Sequence, residues 1–286
     1  MNGTELENQS RGKRSGLVVF ILVLVLMLLG GAGFLFYWFR MGEPAKGYYE
    51  AAKQGDAEAQ YQLGECYYNG DGVRKDFSEA FKWWRKSAEQ GNADGQCALG
   101  TCYAKGEGVS PNDRKAVEWY RKAAKQGDAE AQYNLAGFYY QGCGVDQDKA
   151  EAVDLWRKAA EQGLSEAQYN LGLCYYRGEG VEEDEAEAVK WYRKAAESGC
   201  AIAQNDLGIL YAHGECVDED KEEAVKWFRK AAEQGIAAAQ FNLGVCYMTG
   251  EGVQESGSEG IKWLKKAAKQ DHLEAQRILR RRGYTW

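Results

Sequence analysis

A glutamine returns every 36 residues along this chain, as Gln60, Gln96, Gln132, Gln168, Gln204, Gln240 and Gln276, without a slip. An ordinary globular domain has no use for an unbroken period, whereas an array of stacked supersecondary units requires one. Laid on that period, residues 56–91, 92–127, 128–163, 164–199, 200–235 and 236–271 form six full units. Residues 47–55 supply the tail of an earlier unit and residues 272–286 the head of a later one.

Each unit reads as two helices. In the first unit, Ala59, Leu63, Cys66 and Tyr67 recur at the spacing of a buried helical stripe, and Gly70-Asp71-Gly72-Val73 ends it. Glycine after a last turn takes the left-handed conformation without steric cost. A polar, acidic loop then precedes a second helix that buries Ala80, Phe81, Trp84 and Ala88 and stops at Gly91. Ala59, Gly64, Ala80 and Ala88 stand in slots kept small in most units, so neighbouring helices can approach closely. One such pair cannot bury both its faces and must stack on the next. Arg280, Arg281 and Arg282 replace small and apolar residues in the last partial unit, as a polar cover would.

These phrases carry a resemblance. Ala131-Gln132-Tyr133-Asn134-Leu135, the turn Gly178 to Val181 and the run Ala188 to Ala196 are similar to the Sel-1-like repeat family. The likeness runs from Gly47 to about Leu279, and the 36-residue length with its G-x-G-V turn separates it from the 34-residue tetratricopeptide repeat. The resemblance implies an α-solenoid used as an adaptor in membrane-associated assemblies, quality control, signalling or bacterial host contact. A cysteine-rich branch of that family, known for penicillin binding and weak β-lactamase activity, pairs cysteines between the second helix and the following first helix. At the matching places this chain has Ala124 and Gln132.

Ahead of the repeats, Leu17 to Phe39 contain no charge. As a helix, 23 residues at ~1.5 Å each cross a ~30 Å hydrocarbon core with some tilt. Arg11, Lys13 and Arg14 precede the run and only Arg40 immediately follows it, so the positive-inside rule puts the N-terminus in the cytoplasm. A cleaved signal peptide ending near Gly30-Gly31-Ala32 is the competing reading, against which the apolar run continues past Ala32. The expected organisation is a cytoplasmic tail at 1–16, a single-pass transmembrane helix at 17–39, a linker at 40–46 and repeats from 47 to 286 outside the cytoplasm, in a bacterial periplasm. The sequons Asn2-Gly3-Thr4 and Asn8-Gln9-Ser10 fall on the predicted cytoplasmic side. The expected fold is all-α, a right-handed α-solenoid following that anchor.

The chemistry-bearing residues are mostly accounted for by packing. Cys66, Cys102, Cys174 and Cys246 share one slot with Phe138 and Leu210, which marks an apolar core position. Cys143 and Cys216 replace residues of the G-x-G-V turn, where a disulfide with Cys174 or Cys246 is conceivable. Two histidines, His213 and His272, are too few for a metal cluster, and no metal or cofactor is expected. Trp83, Trp84, Trp119, Trp156, Trp191, Trp227 and Trp263 occupy two adjacent slots of the second helix and read as core. Arg-Lys pairs such as Arg193-Lys194 form a basic stripe, with Glu89, Glu161, Glu197 and Glu233 four residues after an arginine, a salt-laced solvent face. A net charge of −7 argues against nucleic acid as a partner.

The slots of Glu58, Gln62, Glu65 and Asn69 share a face of the first helix that the core does not need. In helical solenoids such faces commonly line the concave side. From the fourth unit onward this face turns apolar between amides and acids: Leu173, Ile202, Ile209 and Val245, with Asn170, Asp206 and Asn242 between them and Asn134 one unit earlier. Apolar residues rimmed by amides suit protein capture. The expectation is therefore a membrane-anchored scaffold for partner proteins rather than an enzyme. The alternatives are a cell-wall-associated penicillin-binding or β-lactamase-like repeat protein, and a luminal quality-control adaptor.

Overall fold

The computed structural model describes residues 41–286, so the expected transmembrane segment at 17–39 lies outside the described residues. Among the described residues there are fourteen α-helices and no strand, and none is long and apolar enough to cross a membrane. The chain divides between Ser110 and Pro111 into two compact units. The first holds α1 (Ala45–Lys53), α2 (Ala57–Asn69), α3 (Phe77–Glu89) and α4 (Ala93–Lys105). The second holds α5 (Asp113–Lys125), α6 (Ala129–Gln141), α7 (Lys149–Glu161), α8 (Ser165–Arg177) and α9 (Glu185–Glu197). It continues with α10 (Ala201–His213), α11 (Lys221–Glu233), α12 (Ala237–Thr249), α13 (Gly257–Ala268) and α14 (Leu273–Arg281). Each repeat is thus a helix pair, and the fold is an all-α solenoid.

Local chemistry sets the helix ends. Asp56, Asn92 and Asp128 cap the first helices of the early repeats, each accepting from the backbone N–H three residues on at 2.6–2.7 Å. Leu164, Cys200 and Ile236 stand in the same slot and make no side-chain cap. Each missing cap forgoes ~1 kcal/mol, but Cys200 and Ile236 pack against the core instead. Every second helix in repeats one to six starts with a side-chain cap from Asp76, Asn112, Asp148, Asp184, Asp220 or Ser256.

The core follows the repeat. Leu171, Leu207 and Leu243 are fully buried in one slot, each contributing ~1.5–3 kcal/mol. Gly172 lets the Tyr192 ring lie against the helix backbone, where an added Cβ would come within 2.9 Å of it. At the last partial unit, Ala275 and Leu279 bury against Leu264, Ala267 and Ala268 while Arg280, Arg281 and Arg282 face solvent.

The periodic glutamine has a definite task. Gln132, Gln168, Gln204 and Gln240 are buried, and each donates Nε2 to a carbonyl near the end of the preceding second helix: Ala124 O at 3.3 Å, Ala160 O at 3.1 Å, Ala196 O at 2.9 Å and Ala232 O at 3.1 Å. Those carbonyls are among the last four of a helix and lack the regular helical partner four residues on; each accepts the glycine N–H three residues on, and the glutamine adds a second donor. The Oε1 atoms of Gln132, Gln204 and Gln240 accept in turn from Gln162, Gln234 and Gln270 at 2.9, 2.8 and 2.9 Å. Gln168 is the exception: Ser198 stands where the donor belongs, and Gln168 Oε1 is buried without a partner.

The basic stripe is wired differently from its expected salt-laced face. Of the four Arg–Glu pairs at i,i+4, only Arg85–Glu89 forms an ion pair among the described residues, at 3.7 Å. Arg121, Arg193 and Arg229 instead donate to the hydroxyls of Tyr139, Tyr211 and Tyr247 on the next helix. Lys122, Lys194 and Lys230 lie over the rings of Trp119, Trp191 and Trp227 at 3.6, 4.0 and 3.9 Å. The stripe therefore ties helix to helix, since a tyrosine eighteen residues away is reached only after the chain folds back.

All eight cysteines are free thiols, so the disulfides conceived for Cys143 and Cys216 are not formed. Burial pushes the Cys102 thiol up to about 12 and those of Cys174 and Cys246 up to about 11. Cys216 takes a left-handed φ of 58° in the slot where Gly180 and Gly252 have φ of 73° and 66°.

Candidate partner-binding face

Two clefts open between successive first helices of the second unit. The first, of about 540 Å³, lies between α6 and α8 and is lined by Asn134, Gly137, Phe138, Asn170, Leu173 and Arg177, among others. The second, of about 250 Å³, lies between α8 and α10 and is lined by Tyr169, Leu173, Arg177, Asp206, Ile209 and Glu215 among its residues. Leu173 and Arg177 belong to both.

One residue lining the first cleft is a glycine inside a helix. Its slot holds Glu65, Thr101, Gly137, Leu173, Ile209 and Val245 in successive repeats. A Cβ at position 137 would meet no heavy atom within 4 Å, so neither packing nor a left-handed turn demands glycine there. Glycine inside a helix costs ~0.5–1 kcal/mol relative to alanine. Trp156 and Phe138 supply aromatic walls, and the Cys174 thiol, held protonated at neutral pH by burial, behaves as part of the apolar lining.

Polar groups cross-link the helices around the clefts. Tyr140 donates to Glu179, which also pairs with Lys149 Nζ at 3.2 Å, and these partners hold the Glu179 carboxyl below its usual range. Tyr169 donates to Asp206 Oδ2 at 2.9 Å, and Asn205 donates to Asp206 Oδ1 at 3.1 Å. Burial, followed by the Asp206 charge, raises the Tyr169 hydroxyl.

The eight residues singled out on this face separate into three groups. Asn134, Asn170 and Leu173 line the first cleft; Leu173, Asp206 and Ile209 line the second. Ile202 is 50% exposed and belongs to neither. Asn242 donates to Asn205 at 3.1 Å, and Val245 is half-buried. Ile209 is also half-buried and packs on the cluster of Ala224, Val225 and Phe228, so it serves the core as well as the cleft. Sequence reasoning passed over Gly137 and Arg177; the available signal for the first was a glycine inside a helix where sister repeats carry larger side chains.

The family model of the Sel1 repeat matches residues 57–92, 93–128, 129–164, 165–200, 201–236 and 237–272. The chain belongs to the Sel1 repeat family. Among solved structures it is similar to c5321, a protective antigen present in uropathogenic Escherichia coli strains displaying an SLR fold, with 37% identity and a TM-score of 0.76. That match covers 82% of this chain and 50% of the E. coli protein, so the chain spans about half that relative's length. A Sel1 repeat protein from Oxalobacter formigenes matches with 37% identity and a TM-score of 0.76, over 82% of this chain and 68% of its own. No curated protein matches the chain. At Ala124 and Gln132, where the cysteine-rich branch would carry a disulfide, this Sel1 repeat protein has the glutamine-to-carbonyl clamp.

Proposed function

We propose that this Sel1 repeat protein is a membrane-anchored scaffold that captures partner proteins on the face formed by its first helices. The observation that carries the reading is the pair of clefts between α6, α8 and α10, both walled in part by side chains that the repeat core does not consume. Apolar surface rimmed by amides and acids is the composition of a protein-binding patch. Anchoring rests on the uncharged run from Leu17 to Phe39, and export of the repeats on Arg11, Lys13 and Arg14 ahead of it. The related E. coli protein is a protective antigen, which accords with placement outside the cytoplasm.

The test is site-specific photocrosslinking in native membranes. A crosslinking residue at Ile202 or Asn134 should trap partners, whereas one at the exposed Lys190 or Lys226 of the second helices should not. Trapping from the second helices alone would overturn the assignment of the face. Ile202→Asp is the cleaner loss variant, because Ile209→Asp would also disturb the core. External protease should remove the repeats and leave the first residues protected; the reverse pattern would refute the orientation.

A further inference from the structure

Resting on the proposed capture face, we infer that the first cleft takes an extended segment of a partner protein bearing a bulky apolar side chain beside an acidic one. The apolar group fills the space above Gly137, and the carboxylate pairs with Arg177.

A cleft of about 540 Å³ falls in the range of concave sites that bury small ligands or side chains. Its walls at Phe138, Trp156 and Leu173 are apolar, and the vacancy at Gly137 is unique among the six residues of that slot. Of the two carboxylates that line this cleft, one is already paired. Glu179 is held by Tyr140 and Lys149, and Asp113 sits in the first turn of α5, where the helix N-terminus favours negative charge. In the neighbouring cleft Asp206 accepts from Tyr169 and Asn205. Arg177, by contrast, forms no ion pair within 4 Å among the described residues, and it stands on the wall shared by both clefts. Glu215, likewise without an ion pair, lines only the second cleft; the first is lined by Asp113, Glu179 and Arg177, and with Glu179 paired to Lys149, Arg177 is the lining cation there without an ion pair among the described residues. Asn134, with no hydrogen-bond partner among the described residues, offers its amide to a partner's peptide group. Successive first helices line the clefts side by side, so a segment crossing them must be extended.

The test uses the full chain in detergent and three fluorescein-labelled heptapeptides read by anisotropy: one with a central Phe-Asp pair in a Gly-Ser background, one with Lys in place of Asp, and one with Ser in place of Phe. The Phe-Asp probe should bind about ten-fold more tightly than either counterpart, as one charge-assisted contact would give. Gly137→Leu should abolish that binding with helicity unchanged, because the new side chain occupies the cleft and clashes with nothing at its Cβ. Arg177→Glu should reverse the preference toward the Lys probe, and the exposed Lys226→Glu should alter nothing. Equal affinity for all three probes, no binding at all, or undiminished binding by Gly137→Leu would overturn the inference. If that happens while Ile202 still crosslinks partners, the scaffold reading stands and only the partner chemistry falls. Crosslinking confined to the second helices would remove both. Concentration-dependent self-association lost in Gly137→Leu would identify a second copy as the occupant and count against a separate partner.

Discussion

Ser198→Gln should make this protein more stable, and the size of the gain can be worked from the repeats themselves. In three repeats of the second unit, a glutamine at the end of the second helix donates to the buried clamp glutamine at 2.8–2.9 Å. Gln168 has no such donor, and its Oε1 is buried and unsatisfied. A buried acceptor left without a partner costs ~1–3 kcal/mol. Against its relief stands the ordering of a glutamine side chain, which costs up to ~2 kcal/mol. Ser198 is exposed and, among the described residues, contributes its backbone N–H to the helix end, which glutamine retains, so little else is lost. The net gain should be about 1 kcal/mol, or a rise of ~2–4 °C in the melting temperature for a domain of this size. The assay is the urea midpoint followed by far-ultraviolet circular dichroism. Gln234→Ser is the reciprocal change: it strips the donor from Gln204 Oε1 and from Gly199 O and should lower the midpoint comparably. If Ser198→Gln leaves the midpoint in place while Gln234→Ser lowers it, the acceptor on Gln168 is not costing stability. If neither variant moves it, the glutamine ladder holds no energy and the reasoning fails.

Three further outcomes rest on the same geometry. Cys216→Gly should raise the unfolding free energy by up to ~1 kcal/mol, read as a higher urea midpoint, because a non-glycine residue is strained at the left-handed φ of 58° held there. Conversely, Gly180→Ala should cost about 2 kcal/mol or more, since its φ is 73° and a Cβ would run into the carbonyl of Lys149; an unchanged melting curve would contradict this packing. Folded-state thiol values of about 12 for Cys102 and about 11 for Cys174 and Cys246 lie above the unfolded value of ~8.5, so their contribution is complete below that pH and drains away as pH rises toward 11–12. A urea midpoint that stays flat between pH 8 and 11 would dismiss these cysteines as core residues.

How much of this was readable in advance depends on whether a residue acts along its own helix or across to another. Gly70 and Gly142, the capping Asp76 and Asp148, and the leucines of the core slot all follow from local periodicity and turn chemistry; the glycines end first helices, the aspartates start second ones, and the leucines are buried between. The glutamine could be counted but not explained, because its partners, Ala124 O and the Gln162 amide, lie eight residues before and thirty after. Arg193 was read with Glu197 on its own helix; its partner is Tyr211, on the following one. On the proposed face, spacing alone singled out Asn134, Asn170, Leu173, Asp206 and Ile209, and these residues line the clefts. Helical spacing assigns a direction but not a depth, so it could not separate the exposed Ile202 from the half-buried Ile209. Gly137 was missed because a search for side chains overlooks a place where one is lacking.

A repeat protein carries its own control for each position, and that separates scaffold from site. Where six repeats agree, as at the buried leucine slot or the clamp glutamine, the shared residue is explained by stacking one helix pair on the next. Where one repeat departs, stacking gives no reason for the change. Ser198 and Cys216 depart at a cost, the first leaving an acceptor unpaired and the second holding a left-handed backbone without glycine. Gly137 departs at a cost too, since helix interiors prefer alanine by ~0.5–1 kcal/mol. Yet Gly137 alone among these opens space, and it does so in the cleft that Arg177 also lines. Drift would leave such a vacancy unused, whereas a binding site would fill it with a partner's side chain. Filling position 137 with Ala therefore divides the two explanations: it should stabilise the helix by that same ~0.5–1 kcal/mol while narrowing the cleft, and a gain in stability accompanied by a loss of partner capture is the trade that a selected binding site makes and a neutral substitution does not.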